Sequence, residues 1–211
     1  MTFLGIHIRA NEKYESNLVV LDCTSTIIKT STFKSNDQLY DLISTIKPNT
    51  VALGSPTSLP LGLCCLAIDC GCTYDIDGNK GRVSEIQMAS MSISCFYTTR
   101  GSISRTLIYR SMDIFKTLTE LNYKVIETYP YATKSILFKE NASIADSQNT
   151  LQTTYDNLSS RVFNMGQSNQ WDKKSLDAVL SSYTALLHHQ DKTNMLGIEK
   201  EGLLVVPDLT I

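Results

Sequence analysis

The sequence predicts an α/β protein built on one mixed β-sheet, in which three antiparallel strands form a meander and two later strands run parallel. Two patterns support this prediction. Three short segments rich in β-branched residues follow one another early in the chain, and helical and strand patterns alternate after them. The 211 residues, of which 42% are hydrophobic and 19% charged, suit a single domain spanning residues 1–211.

The first half of the chain contains the meander and the first of the later strands. In the opening strand, Leu4 and Ile6 alternate with Gly5 and His7, so the two pairs point to opposite faces of the sheet. The connections to the next two strands are short, which favours antiparallel pairing. The predicted elements are strands at 2–9, 17–22 and 26–31, a helix between the Ser35 cap and Pro48, and a strand at 50–53.

The second half alternates helices with two more strands, after a long irregular insertion at about 55–82. A loop of this length inside a compact domain is usually functional or stapled by a metal. The first strand should then lie centrally, between the meander and the two later strands at 50–53 and 123–128. The predicted helices are 83–91, 102–121, 130–138, 146–161 and 175–189, and a last strand follows at 203–206.

Charge and hydropathy restrict the classes of partner. The net charge is −2 and the pI is near 5.9, so nucleic acid would have to bind through a local basic patch. No segment approaches the roughly 20 apolar residues of a membrane helix. The first residues lack the basic and apolar regions of a signal peptide, and we expect a cytoplasmic protein.

Six segments, which span nearly the whole chain, together resemble the domain of unknown function family 429, a family of predicted ribonuclease-H-like nucleases. The resemblance implies a ribonuclease-H-like fold, and the order of the predicted elements agrees with that fold. Each segment alone is nonspecific, whereas six in the family's order are more specific. They are 3–7 (FLGIH), 51–60 (VALGSPTSLP), 81–85 (GRVSE), 125–130 (VIETYP), 176–178 (LDA), and 201–202 (EG) before 205–207 (VVP).

The family resemblance implies hydrolysis of phosphodiester bonds by two Mg²⁺ or Mn²⁺ ions held on clustered carboxylates. The family's pattern has acids at four positions. Here Glu127 and Asp177 are present, whereas His7 and Gly54 occupy the other two positions. Two carboxylates offset four positive charges poorly, and imidazole prefers ions such as Zn²⁺. We therefore expect a catalytically degenerate site in which His7, Glu127 and Asp177 converge as the catalytic or metal-binding residues.

Each of these three residues also has a purely structural interpretation. His7 could be a half-buried, hydrogen-bonded histidine. Glu127 could pair with an arginine, and Asp177 could favour the dipole of its helix. Arg82 and Arg100 are candidate substrate-binding residues because they lie at loop or helix-start positions, where they could pair with Glu127 or meet phosphate. The other cations nearby follow a spacing that spirals round a helix.

The insertion carries Cys64, Cys65, Cys70 and Cys72 within nine positions. Thiolates this close can form a tetrahedral zinc site, although the usual paired Cys-x-x-Cys spacing is absent. The alternatives are small buried apolar side chains or a disulfide. Three functions therefore stay open: a nuclease relative that binds nucleic acid, a non-enzymatic interaction or scaffold protein, and a metal-dependent hydrolase with an altered His/Glu/Asp site.

Overall fold

The computed structural model describes residues 1–71, 81–138 and 147–209. Its centre is a seven-stranded mixed sheet in the order β3-β2-β1-β4-β5-β7-β6. The strands are β1 (Thr2–His7), β2 (Ser16–Asp22), β3 (Ile27–Phe33), β4 (Thr50–Leu53), β5 (Val125–Thr128), β6 (Thr193–Gly197) and β7 (Leu203–Pro207).

Six α-helices pack around this sheet in the described part of the chain. They are α1 (Asn36–Ile46), α2 (Val83–Ser90), α3 (Arg105–Glu120), α4 (Pro130–Phe138), α5 (Ser147–Ser159) and α6 (Lys173–His189). The segment 54–71 contains neither helix nor strand, as the sequence predicts for the described part of the insertion. Within the described residues, no helix combines the length and the hydropathy needed to span a membrane.

The strand directions confirm the predicted fold class. The β1–β2 and β2–β3 pairs are antiparallel and form the meander, while β4 and β5 run parallel to β1 on its other side. This is the ribonuclease-H-like arrangement with the first strand at the centre. The last predicted strand, β7, extends the sheet in parallel to β5. The sequence analysis missed β6, an edge strand of sequence TNMLG that lacks an apolar alternation and pairs only with β7.

The side chains on the two faces of β1 pack against different helices. Leu4 and Ile6 belong to a core cluster with residues of α1 and α3, whereas Phe3 packs with residues of α6. Gly5 allows α6 to lie directly on β1: a Cβ atom at this position would be 2.2 Å from the Ala178 carbonyl oxygen and 2.2 Å from the Ser182 amide nitrogen. This close contact places α6 beside the C-terminal end of β1, where His7 lies.

Candidate functional site

His7 and Asp177 form the first half of the candidate site. His7 ends β1, and its Nδ1 lies 3.3 Å from Asp177 Oδ2, with 23% and 21% of the two side chains exposed. Asp177 is positioned by α6. Asp172 is the N-cap of this helix, and its carboxylate accepts a hydrogen bond from the Ser175 amide at 2.8 Å. The helix begins at Lys173, two residues before the predicted start. The predicted proximity of His7 and Asp177 is therefore present in the structure.

Glu127 lies at the same edge of the sheet but on its opposite face. In the parallel ladder, Ile6 is in register with Leu53, and Leu53 with Glu127. Residues in register point to the same face, so the Glu127 side chain points with Ile6 towards the α1 and α3 side, while His7 points towards α6. The backbone alternation thus directs the Glu127 and His7 side chains to opposite faces of the sheet.

The Glu127 carboxylate is buried and accepts hydrogen bonds at both of its oxygens. Arg82 donates to both of its oxygens, at 2.5 Å from Nη2 and 2.8 Å from Nη1. The Thr57 backbone amide and hydroxyl each donate to Oε2 at 2.7 Å. Oε2 thus accepts three hydrogen bonds and Oε1 accepts one, so both oxygens of the carboxylate are engaged by donors from the protein. The pairing of Arg82 with Glu127, one of the alternatives left open by the sequence, is the one observed.

Arg82 connects Glu127 to a second buried carboxylate, Glu85. Arg82 Nε donates to Glu85 Oε1 at 3.1 Å, and the Thr98 hydroxyl donates to the same oxygen at 2.6 Å. The backbone amides of Arg82 and Thr98 donate to Oε2. Burial opposes the charge on Arg82, but Glu127 and Glu85 outweigh it and raise the pKa of the guanidinium. Because Arg82 and Glu85 are 2% and 1% exposed, this network is shielded from water.

A third buried acid, Glu201, ties the irregular insertion to the same region. Its carboxylate accepts hydrogen bonds from the Leu61 amide at 2.8 Å and the Val83 amide at 2.7 Å. Ser58 donates to the Glu201 carbonyl and accepts from Arg82 Nη1 at 3.3 Å. Sequence reasoning did not assign roles to Glu85 or Glu201, although both lie in segments that carry the family resemblance. That resemblance was the signal available for finding them.

Gly54, at the second position where the family resemblance predicts an acid, lies where the structure leaves little room for a side chain. A Cβ atom there would be 3.0 Å from Ser181 Oγ, 3.1 Å from the Ile6 carbonyl oxygen and 3.2 Å from Pro130 Cγ. Two of these neighbours are a strand backbone and a helix-start proline, which cannot move away as a flexible side chain would. An aspartate at this position would need the surrounding elements to shift.

The residues present do not fit a pair of Mg²⁺ or Mn²⁺ ions. Such a centre needs several carboxylates with lone pairs directed at the metals, whereas both Glu127 oxygens accept hydrogen bonds from Arg82 and Oε2 also accepts two from Thr57. Across residues 1–71, 81–138 and 147–209, a single group of three or more His, Cys, Asp or Glu donors lies within 4.8 Å, and it contains none of His7, Glu127 and Asp177. A metal site shared by those three residues stays a prediction that would require Glu127 to leave Arg82.

The predicted basic residues do not share one environment. Arg82 is buried in the ion-pair network. Arg110 is also buried, and it donates to the Arg9 carbonyl at 2.9 Å and to the Lys34 carbonyl. Arg100 is half-buried, whereas Arg105 is exposed. Lys80 lies outside the described residues. The stretch therefore supplies structural arginines as well as surface ones, and it does not form one continuous basic patch.

The group of donors that the structure does bring together is formed by Cys64, Cys65 and Cys70. Their sulfur atoms all lie within 4.8 Å of one another, and those of Cys64 and Cys70 are 3.3 Å apart. This cluster could bind a metal ion. Cys72, the fourth predicted ligand, lies outside the described residues.

A cavity of about 120 Å³ lies beside the Arg82 network. Arg82, Glu85 and Glu127 contribute to its wall, and most of the remaining lining is apolar, including Met88 and Phe96. Cys95 also lines this cavity, where burial, together with the charge of Glu85, raises the pKa of the thiol to about 11. His7 and Asp177 are absent from this lining, which agrees with their position on the other face of the sheet.

Comparisons with known proteins add two similar solved structures. No family model and no curated protein matches the chain. A Thermus thermophilus RuvC structure has 9% identity and a TM-score of 0.49, covering 90% of this chain and 97% of that one. T. thermophilus RuvC in complex with a Holliday junction substrate has 10% identity and the same TM-score, covering 90% and 96%. The chain is thus weakly similar to RuvC, and its fold assignment rests on the strand order and directions described above.

Proposed function

We propose that this chain is a catalytically degenerate relative of the ribonuclease-H-like nucleases, which acts by binding rather than by phosphodiester hydrolysis. The observation that carries the proposal is the state of Glu127, whose buried carboxylate is paired with Arg82 and accepts four hydrogen bonds from Arg82 and Thr57. Its membership in domain of unknown function family 429 is part of the same proposal, because the six sequence segments support it.

The changes at the other family positions support the same conclusion. His7 replaces an acid on β1, and Gly54 sits in a space that a carboxylate side chain would overfill. Only Asp177 keeps a partly exposed carboxylate, and its nearest ionisable partner is His7. One carboxylate and one imidazole lack the negative charge that holds two divalent cations a few ångströms apart. The loss therefore involves several positions and is not reversed by one substitution.

A nuclease assay tests this proposal directly. The purified protein is incubated with Mg²⁺ or Mn²⁺ and with single-stranded DNA, duplex DNA, RNA, an RNA–DNA hybrid and a four-way DNA junction. We expect no cleavage that depends on the protein's own acids, so wild type, Glu127→Gln and Asp177→Asn should give the same background. The exposed Glu199→Gln is the matched control, since it removes a carboxylate that takes no part in the proposed site. Metal-dependent cleavage that Glu127→Gln or Asp177→Asn abolishes, with Glu199→Gln active, would refute the proposal.

Nucleic acid is the binding partner that we propose for this degenerate relative. One segment of the chain favours it: Phe96 and Tyr97 are 77% and 38% exposed, and the exposed Arg105 follows within ten residues of sequence. Aromatic faces stack on unpaired bases, and arginine side chains contact phosphate, so this combination suits single-stranded nucleic acid. A protein partner at the same segment is the alternative.

Fluorescence anisotropy with labelled single-stranded and duplex oligonucleotides separates these two alternatives. Single-strand binding should weaken as salt rises, and Phe96→Ala should weaken it by about 1–3 kcal/mol through the lost stacking. Leu209→Ala, at another exposed apolar side chain, is the matched control and should bind as wild type does. If neither oligonucleotide binds at low salt, nucleic-acid binding is excluded and the protein-partner alternative is favoured.

A further inference from the structure

The thiol cluster of Cys64, Cys65 and Cys70 lies outside the Arg82 network and has no part in the function proposed above. We propose that these three side chains bind one zinc ion. The inference rests on the distances between the sulfur atoms, on the way the chain holds them, and on the chemistry of thiolates.

The distances match a tetrahedral metal site. With zinc–sulfur bonds of about 2.3 Å, tetrahedral geometry separates two ligand sulfurs by about 3.8 Å. The three sulfur atoms here lie within 4.8 Å of one another, and those of Cys64 and Cys70 are separated by 3.3 Å. These separations bracket the tetrahedral value, so the three sulfurs are grouped closely enough for one ion to contact all of them.

The backbone that carries these cysteines is held in place by apolar packing next to them. Leu63 and Leu66 flank the Cys64–Cys65 pair and are buried against Ile108 of α3. The Leu66 amide donates to the Tyr109 hydroxyl at 2.6 Å, and the Leu66 carbonyl accepts from the Gly101 amide at 2.9 Å. Adjacent cysteines seldom serve one ion easily, but here the buried leucines fix both positions, and Cys70 returns to them from six residues further on.

The type of donor selects the metal. Soft thiolate ligands favour Zn²⁺ or Cu(I) over Mg²⁺, Mn²⁺ or Ca²⁺, which prefer oxygen. Three thiols that lose their protons to solvent would carry a charge of −3, and Zn²⁺ reduces it to −1. Residues 54–71 contain no helix or strand, so an ion bound here would hold an irregular segment in place. Zn²⁺ suits that role because it has no redox chemistry. We therefore assign the cluster to zinc.

The test measures zinc in the full chain. Protein purified without chelator and kept reduced with a phosphine should contain about one zinc per chain, as measured by inductively coupled plasma mass spectrometry. Cys64→Ser and Cys70→Ser should each lose this zinc. Cys23→Ser is the matched control, because Cys23 is an exposed thiol in the β2–β3 turn and should leave the zinc unchanged.

A second measurement uses wild-type protein, so its result does not depend on whether the variants fold. Chelated wild-type protein should bind Co²⁺ with the intense visible absorption of tetrahedral thiolate coordination, and Zn²⁺ should displace that signal. Absence of stoichiometric zinc together with absence of the cobalt spectrum would overturn the proposal. Zinc retained by Cys64→Ser and Cys70→Ser at the wild-type level would overturn it as well, because the ion would then lie elsewhere.

Discussion

Replacing Arg82 with methionine tests the buried ion-pair network on which the proposed loss of nuclease activity rests. Methionine replaces the aliphatic part of the arginine side chain but lacks the guanidinium that donates to Glu127, Glu85 and Ser58. Glu127 and Glu85 keep their hydrogen bonds from Thr57 and Thr98 but lose the positive charge between them. Both carboxylates are at most 3% exposed, so water cannot replace that charge.

The expected loss follows from the cost of leaving a buried charge without its partner. Breaking one side of a buried ion pair typically costs about 3–5 kcal/mol. For a chain of this size, each kilocalorie lowers the melting temperature by about 2–4 °C, so Arg82→Met should lower it by about 6–20 °C. Arg105→Met is the matched control: the same change at an exposed arginine should stay within about 0.5 kcal/mol.

The assay is urea unfolding followed through Trp171, the one tryptophan of the chain, which lies just before α6. A double-mutant cycle with Glu127→Gln measures the coupling between the two side chains, because the neutral amide introduced by that substitution needs no compensating charge. We expect the double variant to be more stable than the sum of the single losses predicts. If Arg82→Met lowers the free energy of unfolding by less than about 1 kcal/mol, or if the two losses simply add, Glu127 does not depend on Arg82. The state of Glu127 would then no longer support a degenerate site.

Three further predictions concern the elements around the site. Gly5→Ala should cost about 3 kcal/mol or more in unfolding free energy, because the new Cβ would overlap the α6 backbone; wild-type stability would mean that α6 does not lie on β1 as described. Asp172→Ala should cost about 1 kcal/mol through the lost N-cap. Burial opposes ionisation of Asp172, but hydrogen bonds from Ser175 outweigh it and lower the pKa of the carboxyl. The cost of Asp172→Ala should therefore be fully present above the unfolded pKa of about 3.9 and should shrink as the pH falls through the folded pKa. A cost that does not change with pH would contradict this. Cys95, with a thiol pKa of about 11, should react with iodoacetamide at neutral pH more slowly than the exposed Cys23, as measured by peptide mass spectrometry, and equal rates would contradict its burial.

Local patterns were sufficient to predict most of the fold. The alternation in β1 and the short connections after it identified the meander, and the apolar spacing of residues 175–189 identified α6 within two residues. The edge strand β6 was missed because TNMLG has neither alternation nor β-branched enrichment, and only its pairing with β7 makes it a strand. Backbone hydrogen bonds to a neighbouring strand leave no mark on the local sequence.

The candidate site shows more clearly which features the sequence predicts and which depend on the tertiary structure. The sequence alone determined that His7, Gly54, Glu127 and Asp177 stand at the four positions to which the family resemblance assigns acids, so under that resemblance two of the four carboxylates are missing. Only the tertiary structure decided that His7 meets Asp177 on one face of the sheet while Glu127 meets Arg82 on the other. The reason is that strand register assigns each side chain to a face, and that the Arg82–Glu127 pair joins residues 45 positions apart. Local composition specifies what a side chain can do, whereas the packed sheet determines which partner it finds.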